Sequence, residues 1–331
     1  MGVIACQSAT ESNTKTIETK GLSGEGVKVS SAHSNWIEEH FQTAIVNLGL
    51  EQLGYQIIEP KELSYPAIHL AVANGDLDYT PVHGDKAHQK FFENSGGEEK
   101  LQKVGVLIPG TTQGYQIDKK TADQYNITNL EQLKKPEIAK LFDFDGDGKA
   151  NLTGCNPGWG CELTIEHHMD AYGLRDTFEQ DKGEYTTLLA DTITRYEQGE
   201  SILLYVFNPH WISSVLIPGK DVVWLEVPFT SLPESQGKVT EKDVFVDGKN
   251  LGFPIGKYRI VANKKFLAAN PVAKRWFELV QISIDDMNAE SLRIKDGEDR
   301  PEDIRRHAEE WVEKNQELWD SWIEEAKQAA S

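Results

Sequence analysis

Cysteine is scarce in this chain, with three in 331 residues: Cys6, Cys155 and Cys161. Basic residues are outnumbered too, with 34 Lys and Arg against 53 Asp and Glu, a formal net charge of −19. So acidic a chain argues against nucleic acid and anionic lipid as partners. No apolar run is long enough to span a membrane. No G-x-G-x-x-G follows a strand pattern, and phosphate-loop, G-x-S-x-G and H-E-x-x-H motifs are absent. Nine histidines are present, but His167 and His168 are adjacent on a helical pattern and cannot share one face as ligands. These absences argue against an enzyme without excluding one. What remains is a soluble, globular composition, 39% hydrophobic and 26% charged, in a chain long enough for two domains.

The most unusual stretch is residues 154–162, Gly-Cys-Asn-Pro-Gly-Trp-Gly-Cys-Glu. Trp159 stands between two glycines and close behind a proline, which presents its face where a core tryptophan would be enclosed. Cys161, Ile165, Met169 and Tyr172 then recur at helical spacing, so the stretch reads as a loop feeding a helix N-terminus. Backbone N–H groups at such a terminus favour an anion. An aromatic face beside an anion site suits a zwitterion. Cys155 and Cys161 have five residues between them. In an oxidising compartment they pair as a disulfide whose main effect is on loop shape. Inert reduced thiols come next, and then a nucleophile at Cys161, where a helix start lowers a thiol pKa.

At the beginning of the chain, Val3-Ile4-Ala5-Cys6 looks like the end of a bacterial lipoprotein signal. A polar segment rich in Ser, Thr, Glu and Asn follows, and residues 1–26 read together as signal remnant and tether. Lipidation at Cys6 would anchor the protein to a membrane face without spanning it.

Beyond the tether, strand and helix patterns alternate. Residues 27–30 read as a strand. Ser34-Asn35-Trp36, with Glu38 three residues after Asn35, is a capping-box-like helix start, and the helix runs to Gly54. Strands at 55–58, 77–82 and 104–108 are separated by helices, one of them stopped by Gly75. Tyr115-Gln116-Ile117 opens a second alternation, with a helix over 186–198 and strands over 202–207, 222–227 and 258–262. Residues 231–249 read as a surface excursion, and from Pro271 onward the pattern is helical, with Trp276, Trp311, Trp319 and Trp322 on apolar stripes. The order predicts an α/β fold with a largely parallel sheet and helices on both faces. In such sheets ligands sit outside the carboxyl ends of the strands. That rule nominates residues 31–36, 83–88, 111–114, 207–211 and 252–258.

Asp143-Phe-Asp145-Gly-Asp147-Gly148 is the first half of a calcium loop, with Asn151 at the ninth position. The twelfth position is Gly154, where an EF-hand has a bidentate glutamate. The run is therefore an Asp/Gly turn or a structural Ca²⁺ site that stiffens the approach to the stapled loop. No other cofactor is indicated.

Several runs carry a family resemblance. They are Gly114-Tyr115 with residues 117–125, then 145–150, then 152–162, Ala190-Asp191-Thr192-Ile193 with Arg195-Tyr196, 218–225, and Ile260-Val261-Ala262-Asn263-Lys264. These resemble the glycine betaine/proline betaine-binding proteins of ProU-type ABC importers, in register from about residue 25 to the C-terminus. The resemblance implies a type II periplasmic-binding fold of two lobes that closes on its ligand by hinge motion. Lobe 1 would be residues 27–110 plus 255–331, and lobe 2 residues 111–254. The ligand would be a quaternary-ammonium zwitterion, the partner an ABC permease in the membrane, and the protein a monomer in the periplasm or on the outer face of the cytoplasmic membrane. The family holds the ligand carboxylate with a histidine and two backbone amides, which fall here on His88, Gly160 and Cys161. It holds the ammonium in a cage of three tryptophans by cation–π attraction. One is Trp159, the second position is Phe207, and the third is Gly84, with no side chain. Trp36, in the loops facing the cleft, is the candidate for the missing wall, the alternative being that it packs under the first helix. Tyr205, His210 and Tyr115 are further aromatic neighbours.

Three readings compete. The first is a betaine-type solute receptor, whose altered cage admits a shifted ligand such as a sulfonium zwitterion as a variant. The second is an enzyme using Cys161 or His88, which needs a free thiol. The third is a sensor lobe with the same binding chemistry.

Overall fold

The computed structural model describes residues 24–86, 88–233 and 239–330. Cys6 and most of the expected tether therefore lie outside the described residues. The central element is one strand of 18 residues, Leu101–Asp118, that runs through both lobes. Its sheet is built from β1 (Tyr79–Gly84), β2 (Leu101–Asp118), β3 (Ala150–Thr153), β4 (Phe178–Asp181), β5 (Leu203–Asn208), β6 (Val222–Leu225) and β7 (Gly256–Asn263). The order is β1-β7-β2-β5-β3-β4, with β6 paired to β2.

Two expectations change here. The segments around Val104–Ile108 and Tyr115–Ile117 were separable by their patterns, because Pro109-Gly110 between them reads as a break. They are one strand. Thr111 pairs with Gly256 and Ile108 with Tyr258, so Pro109 and Gly110 together face the single residue Lys257. The irregularity absorbs a proline that has no amide to donate and a glycine at φ +70. The sheet is also mixed, with antiparallel pairing dominant. β7 runs antiparallel to β1 and β2, and β5 and β6 antiparallel to β2, while β3 pairs parallel with β4 and β5. A chain that crosses between lobes twice on adjacent strands must run once in each direction, which makes those two antiparallel. The short strands Lys28–Val29 and Ala32–His33 pair parallel with Gln56–Ile57 and Lys61–Glu62, as α/β alternation requires.

Three buried cores follow from this layout. One collects residues between Tyr115 and Phe253, from Leu152 and Ile165 to Leu204 and Val222. A second joins the two ends of the chain, Val29 to Ile108 with Ile260 to Ala326, and a third lies beside it around Ile68, Val72 and Val82. The helices that matter for the cleft are α1 (Ile37–Gln52), α2 (Tyr65–Asn74), α3 (Gly160–Ala171) and α4 (Tyr185–Glu197). The C-terminal layer is α5 (Pro271–Leu279), α6 (Ile284–Lys295), α7 (Pro301–Lys314) and α8 (Gln316–Gln328). Trp276 and Trp319 meet edge-to-face at 4.9 Å in the second core, and the Trp276 indole N–H donates to Val46 O. Among the described residues no helix is long and apolar enough to cross a membrane.

The start of α1 differs in detail from its sequence reading. Trp36 is the N-cap residue and Glu38 does not reach back. The Ser34 amide donates to Glu39 Oε2 at 2.8 Å, and Ser34 Oγ accepts the Trp36 amide. The carboxylate that closes back on this end is thus Glu39, which takes the Ser34 amide, while Trp36 itself has no side-chain cap.

Candidate functional site

The stapled loop forms as one unit. Cys155 and Cys161 are bonded, both sulfurs belonging to buried residues. Gly158 takes φ +85, a conformation glycine adopts at no steric cost, and nothing lies where its Cβ would be. Asn156 holds the loop from both sides: its backbone O accepts the Trp159 amide, and its side-chain Oδ1 accepts the Tyr185 amide at the start of α4. Trp159 is the N-cap residue of α3, and Gly160 and Cys161 are the first two helical residues. Their amides sit at the positive end of a helix of 12 residues.

Trp159 faces an aromatic cluster drawn from both lobes. Trp36 lies 5.9 Å from Trp159 and 5.5 Å from Phe207, with planes tilted by 51° and 63°. Both of these ring partners of Trp36 pack on the core of the opposite lobe. Phe207, at the end of β5, stacks on Tyr185 at 5.5 Å and touches the His210 ring at 4.7 Å. Tyr185 also borders Trp159 at 6.2 Å. Tyr205 lies behind this layer, its hydroxyl donating to Gln113 Oε1. Tyr115 does not join it: it is fully buried beside His168 and Phe253.

Gly84 and His88 form a separate corner on lobe 1. Gly84 ends β1, buried and paired with Tyr258. The His88 ring lies against Tyr65 at 3.9 Å, tilted by 34°, and borders His69, His83 and Phe91; none of the Trp36, Trp159 and Phe207 rings is among its ring partners. Its Nδ1 lies 3.1 Å from both the Gly84 amide and the Val82 carbonyl. The Gly84 amide can donate to Nδ1 only when the ring proton is on Nε2, and Nδ1 can donate to the Val82 carbonyl only when it carries the proton itself, so each tautomer makes one of the two bonds. Burial holds the His88 pKa at about 3, and the ring is neutral at physiological pH.

Tyr65 links this corner to the Trp36 helix. Its hydroxyl donates to Glu39 Oε1 at 2.7 Å and receives a hydrogen bond from Ser34. Burial raises the Glu39 carboxyl to about 6 despite these donors. Neither Tyr65 nor Tyr185 was nominated from sequence. Tyr185 follows β4, whose Phe-Glu-Gln-Asp has no apolar alternation to mark it as a strand. The strand-end rule therefore had no strand there to act on.

The acidic turn at Asp143, Asp145 and Asp147 brings three carboxylate oxygens within 4.8 Å of one another. The loop's own amides occupy them: Gly146 and Gly148 donate to Asp143, Asp147 to Asp145, and Lys149 to Asp147. Asn151 accepts from Phe144 and donates to Glu179. Gly154, at the twelfth position, has no room for a side chain, since a Cβ there would lie 2.5 Å from Gln180 Cγ. The turn thus offers three carboxylates but lacks the residue that sets affinity in an EF-hand.

Comparison with known proteins bears out the family and the fold. The family model described as the substrate-binding domain of ABC-type glycine betaine transport systems matches residues 27–314. The glycine betaine-binding periplasmic protein OusX of Dickeya dadantii is 46% identical over 309 residues, 93% of this chain and 92% of its own. The glycine betaine/proline betaine-binding periplasmic protein of Escherichia coli is 45% identical over 305 residues, 92% of each chain. Among solved structures, the glycine betaine, L-proline-binding protein ProX of Borrelia burgdorferi shares the fold, with a TM-score of 0.61 at 21% identity over 92% of this chain and 100% of that one. Lactococcal OpuAC, closed on glycine betaine, gives a TM-score of 0.61 at 18% identity over 90% and 99%. The chain belongs to the family of substrate-binding domains of ABC-type glycine betaine transport systems.

Proposed function

We propose that this protein is the extracytoplasmic receptor of an ABC importer and that it binds a quaternary-ammonium zwitterion of the glycine betaine or proline betaine type. The observation that carries the ligand reading is the meeting of Trp36 from one lobe with Trp159 and Phe207 from the other. Trp36 is tilted against both of the other rings, and the three form a corner in which one cationic head touches more than one face, each contact worth about 0.5–2 kcal/mol. The amides of Gly160 and Cys161 stand beside Trp159 for the carboxylate, at the helix end that favours an anion. His88, neutral and in the tautomer that carries its proton on Nε2 and accepts from Gly84, is the third donor, brought up from lobe 1. Trp36 takes the part of the wall that Gly84 lacks.

Loaded receptor delivers its solute to a permease and ATPase in the membrane. The chain acts as a monomer and works in the periplasm, where the Cys155–Cys161 bond persists; attachment through a lipidated Cys6 fits the same location. Relatives named as binding proteins, and a cysteine pair consumed in a disulfide, support a receptor over a thiol enzyme. The acidic turn is read as self-held by its own amides. Calorimetry with Ca²⁺ after chelation is expected to give neither heat nor a melting shift.

One observation favours a shifted ligand within the same class. Trp36 fills the third wall from a different place than Gly84, and Phe207 is a weaker face than a tryptophan, so the corner differs in shape from a cage of three tryptophans, which suits a differently shaped head such as a sulfonium. A thermal-shift panel of glycine betaine, proline betaine, a sulfonium zwitterion and choline tests both forms. Stabilisation by a zwitterion and none by choline is the expected result. Stabilisation by none of the zwitterions would remove the reading.

A further inference from the structure

The aromatic corner is divided between lobes, so something other than the ligand must hold its halves in register. Helix α6 is placed to do so. Ile284, Met287 and Ile294 pack into the core formed by the two chain ends, while Leu292 packs against the core of the other lobe. Between these contacts Glu290 is buried beside His307, and two further polar residues of α6 are buried with it, Asn288 and Ser291. Both accept hydrogen bonds from the segment just after Phe207. The His210 amide donates to Asn288 Oδ1 at 2.9 Å, and the Trp211 amide donates to Ser291 Oγ at 3.0 Å. The Ser291 hydroxyl then donates its own proton to Glu38 Oε1 at 2.7 Å.

The path runs from one side of the cleft to the other. His210 packs its ring on Phe207 at 4.7 Å, and Glu38 is two residues from Trp36. The helix start matters here: Glu39 takes the Ser34 amide, and Glu38 receives Ser291. The amides of His210 and Trp211 precede the helical turn Ile212–Val215 and have no role within it, so they need outside acceptors when buried. Those acceptors belong to a helix fixed on the opposite lobe, where the His307 ring holds Glu290 of α6 at 2.9 Å.

We propose that Asn288 and Ser291 are positioning residues of the binding site, an interlobe clip that holds Phe207 and Trp36 at contact distance in the closed form. The clip rests on the reading that the Trp36, Trp159 and Phe207 corner receives the ligand. On opening, the two amides pass to water; on closing, they return to α6. The clip therefore acts on how long the closed form lasts, and so on ligand release.

The test uses the full chain with glycine betaine as the probe, following tryptophan fluorescence by stopped flow. Ser291→Ala and Asn288→Leu are each expected to speed dissociation about fivefold, the size of one lost buried hydrogen bond. Ser291→Thr and Asn288→Asp keep the accepting oxygen and are expected to stay near the parent rate. A merely structural role would lower the melting temperature of the unliganded protein and leave dissociation unchanged, which overturns the clip. Trp159→Ala, run in parallel, separates the two levels. If it binds as tightly as the parent, the site reading fails and the clip with it; if it loses affinity while Ser291→Ala and Asn288→Leu release ligand at the parent rate, only the clip fails. Should the α6 variants not fold, hydrogen exchange at the His210 and Trp211 amides of the unmodified protein decides. Protection that rises with glycine betaine supports the clip, and equal protection with and without it overturns it.

Discussion

Trp36 and Trp159 come from opposite lobes and meet with ring centroids 5.9 Å apart. Neither lobe holds this contact alone, so the aromatic corner exists only when the lobes are together. A receptor built this way couples ligand contact to closure through the rings themselves.

The first prediction follows from that coupling. Trp36→Ala and Trp159→Ala should each weaken glycine betaine binding about tenfold, as loss of a desolvated cation–π face implies. Titration calorimetry gives the constants. A near-neutral Trp36→Ala would return Gly84 to being an open wall. Closure should also quench tryptophan fluorescence, and the change should shrink in either variant.

The second concerns the staple. A disulfide closing so short a loop constrains the unfolded chain by about 2 kcal/mol. Its larger effect should be on shape, because the bonded loop sets Trp159 at the head of α3. Reduction, or the Cys155→Ser, Cys161→Ser pair, should therefore leave a folded protein with a modestly lower melting temperature but strongly reduced affinity. Thiol titration of the native protein should find neither Cys155 nor Cys161 reactive. A reactive thiol at Cys161 with intact binding would contradict the assignment.

How much of this was legible in the sequence depends on how local each feature is. The stapled loop was legible because its cysteines, glycines, proline and tryptophan lie within nine residues. Trp36 was reachable through the rule about strand ends. The single strand through both lobes was not, since a proline and a glycine inside a strand look like its end until pairing with a neighbour shows them to be a bulge, two residues facing one. The exchange of Glu38 for Glu39 at the cap was hidden as well. Both carboxylates satisfy the local pattern within one residue, and only Tyr65 and Ser291, from distant segments, decide which goes where.

The third prediction concerns affinity and pH. Burial keeps His88 neutral down to about pH 3. If its Nε2–H serves the ligand carboxylate, binding should be flat between pH 8 and pH 5, because no proton is gained by that ring across the range. Calorimetry in three buffers across this interval checks it. A tenfold change centred near pH 6.5 would mean that the ring titrates as an exposed histidine does and stands elsewhere.

The fourth prediction has the opposite character: stability should fall where affinity holds. His83 is depressed to about 2, and His88, His168 and His210 to about 3, in each case chiefly by burial. A histidine whose folded pKa lies below its unfolded value of about 6.5 contributes stability that is complete above that pH. The contribution is lost as pH falls toward the folded pKa, because only the unfolded chain takes up the proton. Each such ring costs about 1.4 kcal/mol per pH unit in that window. Glu39 acts the other way. Its pKa is raised to about 6, so its contribution is fully present below about 4.5 and is lost as pH rises through 6. Asp181, raised to about 6 by burial, acts as Glu39 does, and His40, depressed to about 4 by burial, joins the four rings; five rings against two carboxyls leave a net loss on acidification. The urea midpoint at pH 5 should therefore lie well below that at pH 7 while glycine betaine still binds the folded fraction. His210→Asn removes one titrating group and should flatten the slope between those pH values, and an unchanged slope would show that His210 is not held neutral in the folded protein.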